Sequence, residues 1–138
     1  MSEDVIVKAE AIFYDSEKPK MKGPIGQLIL SGRRLAFIKY APRGLIGTAQ
    51  DYSSNIDEGL KNEGSVEIPM TQVSEAKADS TWGTPYLRVR YRVGSFEKAC
   101  SIIFRGGLLA AGGVHIRKGP IEQLARTIEQ LKQEASTG

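Results

Sequence analysis

One cysteine, one histidine and one tryptophan are all that these 138 residues contain, and each shortage removes a class of chemistry. Cys100 alone cannot close an internal disulfide, and one thiol with one imidazole cannot assemble an ordinary zinc site. There is no run of about 18 apolar residues, so no transmembrane helix is expected. The opening Met1-Ser2-Glu3-Asp4 is acidic and lacks the apolar centre of a signal peptide. Catalytic sets are missing as well. No Gly-x4-Gly-Lys-Ser/Thr phosphate loop occurs, His115 has no identifiable partner, and Asp57 and Glu58 are adjacent and do not face each other as a hydrolytic pair would. Cys100 shares an apolar strand face with Ile102 and Phe104, which is the setting of a buried structural thiol. The expectation is a non-enzymatic chain without cofactor or metal, located in the reducing cytoplasm.

Charge is also scarce in sum, at +3, but it is unevenly placed. Residues 17 to 44 carry Lys18, Lys20, Lys22, Arg33, Arg34, Lys39 and Arg43 against Glu17. Residues 51 to 67 carry Asp51, Asp57, Glu58, Glu63 and Glu67 against Lys61. A basic block followed by an acidic one favours an anionic partner for the first, though single lysines of this kind also serve simply as solvated surface. Hydrophobic residues at 41% and charged residues at 25% are ordinary for one globular domain, and 138 residues are enough to bury a core.

The clearest local pattern is Gly26-Gln27-Leu28-Ile29-Leu30-Ser31-Gly32-Arg33-Arg34-Leu35-Ala36-Phe37-Ile38, two apolar strands around a Ser-Gly turn. A first strand precedes it over 5 to 14, and 15 to 24 is a loop broken by Pro19, Gly23 and Pro24, with lysines at alternate positions. The segment 41 to 64 reads as an inserted flap in which Tyr52, Ile56 and Leu60 predict about two helical turns, capped by Asp51 or Ser53. Short strands are expected over 65 to 70 and 72 to 80, the former lying on an edge or irregular because of Pro69. From 86 to 93, Leu87, Val89, Tyr91 and Val93 alternate with Arg88, Arg90 and Arg92, and a strand over 97 to 104 pairs with it. Glycines make 106 to 119 a loop, and Pro120 opens a helix to about residue 134 whose stripe is Ile121, Leu124, Ala125, Ile128 and Leu131. About seven short strands and one amphipathic helix suit a curved β-barrel with the helix over one end.

Taken with its neighbours, the hairpin resembles the GRAM and bacterial-type pleckstrin-homology (PH-like) families, through Gly26, Leu28, Leu30, Ser31, Arg34, Leu35 and Phe37, then Ile68-Pro69-Met70 with Val73, then the strand pair Leu87 to Phe104 and the terminal helix. The resemblance implies a mainly β fold of about seven antiparallel strands in two near-orthogonal sheets capped by the C-terminal helix, with residues 1 to 138 forming one domain. It also implies a binding module for lipids, peptides or proteins.

Candidate site residues follow from this. In phosphoinositide-binding PH domains the loop between the first two strands supplies lysines to phosphates, which nominates Lys18, Lys20 and Lys22, with Arg33 beside the hairpin turn. The basic-x-Arg pattern of that class is not matched, since Gln27 and Ile29 stand there, so a diffuse contact with anionic phospholipid headgroups is expected, peripheral at the inner membrane face. Arg88, Arg90 and Arg92 line one strand face, where they bind phosphates or, more ordinarily, pair with Glu75, Asp79 or Glu97. Trp82 in a turn anchors in a membrane interface or a partner's pocket, or else covers the barrel mouth. The alternative function is a protein-interaction or self-assembly module, homo-oligomers included. Nucleic acid is disfavoured because few aromatics are available for base stacking.

Overall fold

A computed structural model of the chain describes residues 4–20, 22–40, 51–110 and 118–137. In chain order the elements are β1 (Val5–Tyr14), β2 (Ile25–Ser31), β3 (Arg34–Lys39), α1 (Ile56–Gly59), β4 (Val66–Pro69), a 3-10 turn over Met70–Gln72, β5 (Val73–Thr81), β6 (Thr84–Val93), β7 (Phe96–Ala110) and α2 (Lys118–Thr137). All pairings are antiparallel and run without a break through the order β4-β3-β2-β1-β7-β6-β5. β1 therefore joins a β4-β3-β2 layer to a β7-β6-β5 layer. Its register breaks between Val5 and Val7 on one side and between Ala9 and Ala11 on the other, irregularities of the kind that bend a sheet.

One core fills the concave side. Phe13, Leu28, Phe37, Ile68, Leu87, Val89 and Ile102 contribute to it from six strands, and Ile121, Leu124, Ala125 and Ile128 lower the helix stripe onto it. Phe13 and Phe37 stack with ring centroids 5.0 Å apart. Cys100 is fully buried here, and loss of solvent pushes its thiol pKa up to about 12, so it is an inert core residue. The helix also closes the β5 edge. Glu129 accepts from the Ala76 backbone N–H at 2.7 Å, and the Lys132 ammonium donates to the Ser74 carbonyl at 3.0 Å. Both would otherwise be unpaired strand-edge groups.

The flap differs in detail from the sequence reading. Its helix is the single turn Ile56–Gly59, and the cap is Asn55, whose side chain accepts from the Glu58 N–H. Tyr52, Ile56 and Leu60 do share a face, and it packs on Ile29, Ala36 and Ile38. β2 and β3 are consequently buried on both sides, which is why they read as continuous apolar runs. Residues 41–50 of the flap lie outside the described residues.

A buried glutamine anchors this layer. Gln27 accepts from the Tyr52 N–H at 2.7 Å and donates to Asp51 at 2.9 Å. Asp51 accepts in addition from the Ser53 hydroxyl, the Ser53 N–H and the Lys8 ammonium. These donors, Gln27 foremost, hold the Asp51 carboxyl well below its ordinary value of 3.8. A carboxyl whose folded pKa is depressed stabilises the fold fully above its unfolded pKa, and that stabilisation is lost as pH falls from there through the folded value. Denaturant titrations at falling pH are therefore expected to show a loss of stability below about pH 4 that is smaller in Asp51→Asn.

Two further departures concern glycine. The loop expected over 106 to 119 is strand as far as Ala110 and helix from Lys118; residues 111–117, His115 among them, lie outside the described residues. From Ala9 to Ala11 β1 advances two residues while its partners on β7 advance from Leu108 back to Phe104, so Gly106 and Gly107 fall within a bulge. The helix starts at Lys118, leaving Pro120 still inside the first turn.

The β5–β6 connection is the two-residue turn Trp82-Gly83, with φ of +50° and +78°. Two left-handed residues in succession suit Asn-Gly and strain a bulky side chain. Trp82→Asn is expected to raise stability by about 1 kcal/mol, read as a higher urea midpoint at unchanged slope.

Candidate functional site: the lysine loop and the free end of the β6–β7 hairpin

β1 ends and β2 begins at the same end of the sheet, so the intervening loop projects there. Its base is tightly held. The Phe13 N–H donates to the Pro24 carbonyl at 3.1 Å, and a Cβ on Gly23 would stand 2.6 Å from the Phe13 carbonyl oxygen. The Ser16 hydroxyl donates to the Lys18 carbonyl at 2.6 Å and shapes the turn.

The loop contains two carboxylates as well as its lysines, and the neighbouring hairpin draws both away. Glu17 binds Arg90 at 2.5 Å, and Asp15 lies 3.6 Å from Lys98. Lys18, Lys20 and Lys22 are exposed, and among the described residues none of them has an ion-pair partner. The loop thus presents these lysines to solvent, while its two carboxylates, themselves exposed, pair with cations of the neighbouring hairpin.

Arg33 is not part of this group. It is exposed in the β2–β3 turn, at the far end of β2. Seven strand residues at about 3.3 Å each put it roughly 20 Å from the loop. Its neighbour Arg34 is structural: the guanidinium is largely buried between Asp57, at 2.8 Å, and Glu67. Around them lies a cleft of about 680 Å³ lined by Asp4, Arg33, Arg34, Ser53, Asp57 and Glu67 among others. Its acidic lining and the engagement of Arg34 make it a poor anion site despite its size.

The arginines of β6 sit on the convex face, as their alternation with Leu87, Val89 and Tyr91 indicates. Arg88 binds Asp79 at 3.2 Å with Glu75 at 4.0 Å, and Arg90 is shared by Glu17 and Glu75. Both are engaged by carboxylates. Arg92 is exposed near the hairpin tip, opposite Glu97 in the ladder. Trp82 is 100% exposed and does not cover the barrel mouth; it lies at the other end of β6 from Arg92.

Two residues not singled out in the sequence join the lysine end. Val93 and Phe96 pair across the Gly94-Ser95 turn and are 49% and 75% exposed. Val93 belongs by parity to the inward file and was expected on the apolar face, yet the strand carries it beyond the rim. Their adjacency across the Gly94-Ser95 turn was legible in the sequence; their exposure was not.

A continuous antiparallel β-barrel-like sheet of seven strands with a helix over it is a PH-like fold. The chain is similar in structure to the Vps36 N-terminal PH domain, with a TM-score of 0.59 at 13% identity over 99% of this chain and 83% of that one. No family model and no curated protein matches the sequence. At this identity the similarity establishes the fold.

Proposed function

We propose that this chain is a non-catalytic PH/GRAM-like module, spanning residues 1 to 138, that docks on anionic phospholipid at the cytoplasmic face of a membrane. The observation that carries the reading is the sorting of charge in the β1–β2 loop: Glu17 and Asp15 are held by Arg90 and Lys98, and Lys18, Lys20 and Lys22 are left outward. Each such lysine near an anionic surface contributes about 1 kcal/mol. The hairpin residues Gly26 to Phe37 support the finer family reading, and the fold supports a binding role of lipid or protein type.

Co-sedimentation tests this with vesicles of phosphatidylcholine alone or with phosphatidylserine added. Binding is expected only to the second kind and is expected to fall as salt rises, because the attraction is Coulombic and exposed. Equal binding to both vesicles, or to neither, would contradict the proposal.

A second reading rests on Trp82. A fully exposed indole on a left-handed backbone carries two local costs that a structural role does not explain. Its hairpin neighbours Ser80, Thr81, Gly83 and Thr84 are uncharged, which favours a protein contact at that end, self-assembly included. Sedimentation velocity of the unaltered chain against Trp82→Asn checks the self-assembly form of this reading: a mass that rises with concentration only in the former supports it.

A further inference from the structure

We infer that the tip of the β6–β7 hairpin is an insertion element, with Val93 and Phe96 entering the interfacial layer of an anionic bilayer while the lysine loop beside it binds headgroups. The inference rests on the lipid reading above and adds to it a site, a depth and a second kind of force.

In the β6–β7 ladder the facing pairs Val89 with Cys100, Tyr91 with Lys98 and Val93 with Phe96 share one face. The first pair is fully buried, and at the second Tyr91 is still buried. The exposed Lys98 marks the rim of this face, and the third pair places two apolar side chains one step past it, where the body of the protein no longer covers them. Single exposed apolar residues need no explanation, but a directly paired Val and Phe make one contiguous patch at the most projecting point of the hairpin.

The turn itself is clear of the fold. A Cβ placed on Gly94 would meet no atom within 4 Å. Gly94 has φ of +62°, so a compact two-residue turn carries the patch. The tip is thus narrow and unobstructed, and its base is joined to the lysine loop by the Glu17–Arg90 and Asp15–Lys98 pairs. An apolar tip beside three outward lysines complements an anionic bilayer: the cations lie at headgroup level while the hydrocarbon surface leaves water. The Trp82 hairpin lacks this complement, because no lysine or arginine flanks its turn.

The test separates the two forces. Phe96→Ser is expected to weaken partitioning into phosphatidylserine-containing vesicles about tenfold. The binding that remains should be wholly abolished by salt, whereas the unaltered chain keeps a salt-resistant fraction. Depth is read by moving the single indole. In Trp82→Phe/Phe96→Trp, fluorescence is expected to shift to the blue on vesicle binding and to be quenched by lipids brominated on their acyl chains. In the unaltered chain, Trp82 should remain unquenched. Vesicle binding with an unquenched indole at the hairpin tip, or a Phe96→Ser chain that keeps full salt-resistant affinity, overturns the insertion while leaving the lysine contact standing. Absence of any binding by the unaltered chain overturns both.

Discussion

Replacing Lys18, Lys20 and Lys22 together by glutamine is expected to lower affinity for phosphatidylserine-containing vesicles roughly a hundredfold at low salt, from about 1 kcal/mol for each lysine near the surface. Stability should change little, since the three side chains are exposed and no ion pair among the described residues uses them. The comparison variant is Arg33→Gln. It removes one positive charge from the other end of β2, roughly 20 Å away and beyond the screening length of about 10 Å at 0.1 M salt. Its effect should be small. If the two variants lost affinity in simple proportion to charge removed, the contact would belong to the net charge of the molecule and not to the loop. Vesicle sedimentation at two salt concentrations, with urea unfolding of each variant, makes the distinction.

The second large effect concerns packing. Gly26→Ala is expected to destabilise the fold by about 3 kcal/mol or more, a large part of the roughly 5–15 kcal/mol that holds a domain together. A Cβ at this position would stand 2.1 Å from the Ile38 carbonyl oxygen, 2.8 Å from its carbon and 2.9 Å from the Lys39 Cα. All three are backbone atoms of β3, the strand that pairs directly with Gly26, so no side-chain rotation relieves the overlap. Separation of β2 from β3 would also disturb Gln27 and the flap it anchors. Gly32→Ala is the control. It lies at the other end of the same strand pair, and a Cβ there meets nothing within 4 Å. Its expected change is within about 0.5 kcal/mol. Denaturant midpoints of the two variants measure the difference directly.

The glycine of the hairpin motif was legible in the sequence as part of a pattern, but the reason for it was not. Sequence alone suggests turn freedom at Gly32; the structure shows that Gly26 is the position with no room. The alternation of Leu87, Val89 and Tyr91 with three arginines, and the helical stripe from Ile121, were read correctly because each reflects a repeat of two or about 3.6 residues within one element. The strand through 106 to 110 was not read, because two glycines remove the apolar alternation on which such a reading depends. The single helical turn of the flap was overextended for the opposite reason: Tyr52, Ile56 and Leu60 do share a face, and the spacing alone cannot show where the hydrogen bonding stops.

The candidate site divides in the same way. The three lysines were visible as a basic loop between two strands. Their grouping with Arg33 was not sustained, since a chain that runs the length of β2 carries Arg33 to the opposite end. The loop acids look from sequence like partial neutralisation of the lysines, but Arg90 and Lys98, more than seventy residues along, take them up.

By itself, then, the order of residues determined where each of the seven strands and the amphipathic helix lies, though not the full length of the last strand, and it placed a surplus of lysine in one loop. Those properties depend on backbone geometry and side-chain periodicity over a few neighbours. The tertiary structure alone decided which end of the sheet each loop occupies, which charges cancel, and that Val93 and Phe96 overrun the rim together. The reason is that these depend on strand order, register and bulges, which are set by contacts between residues far apart in the chain.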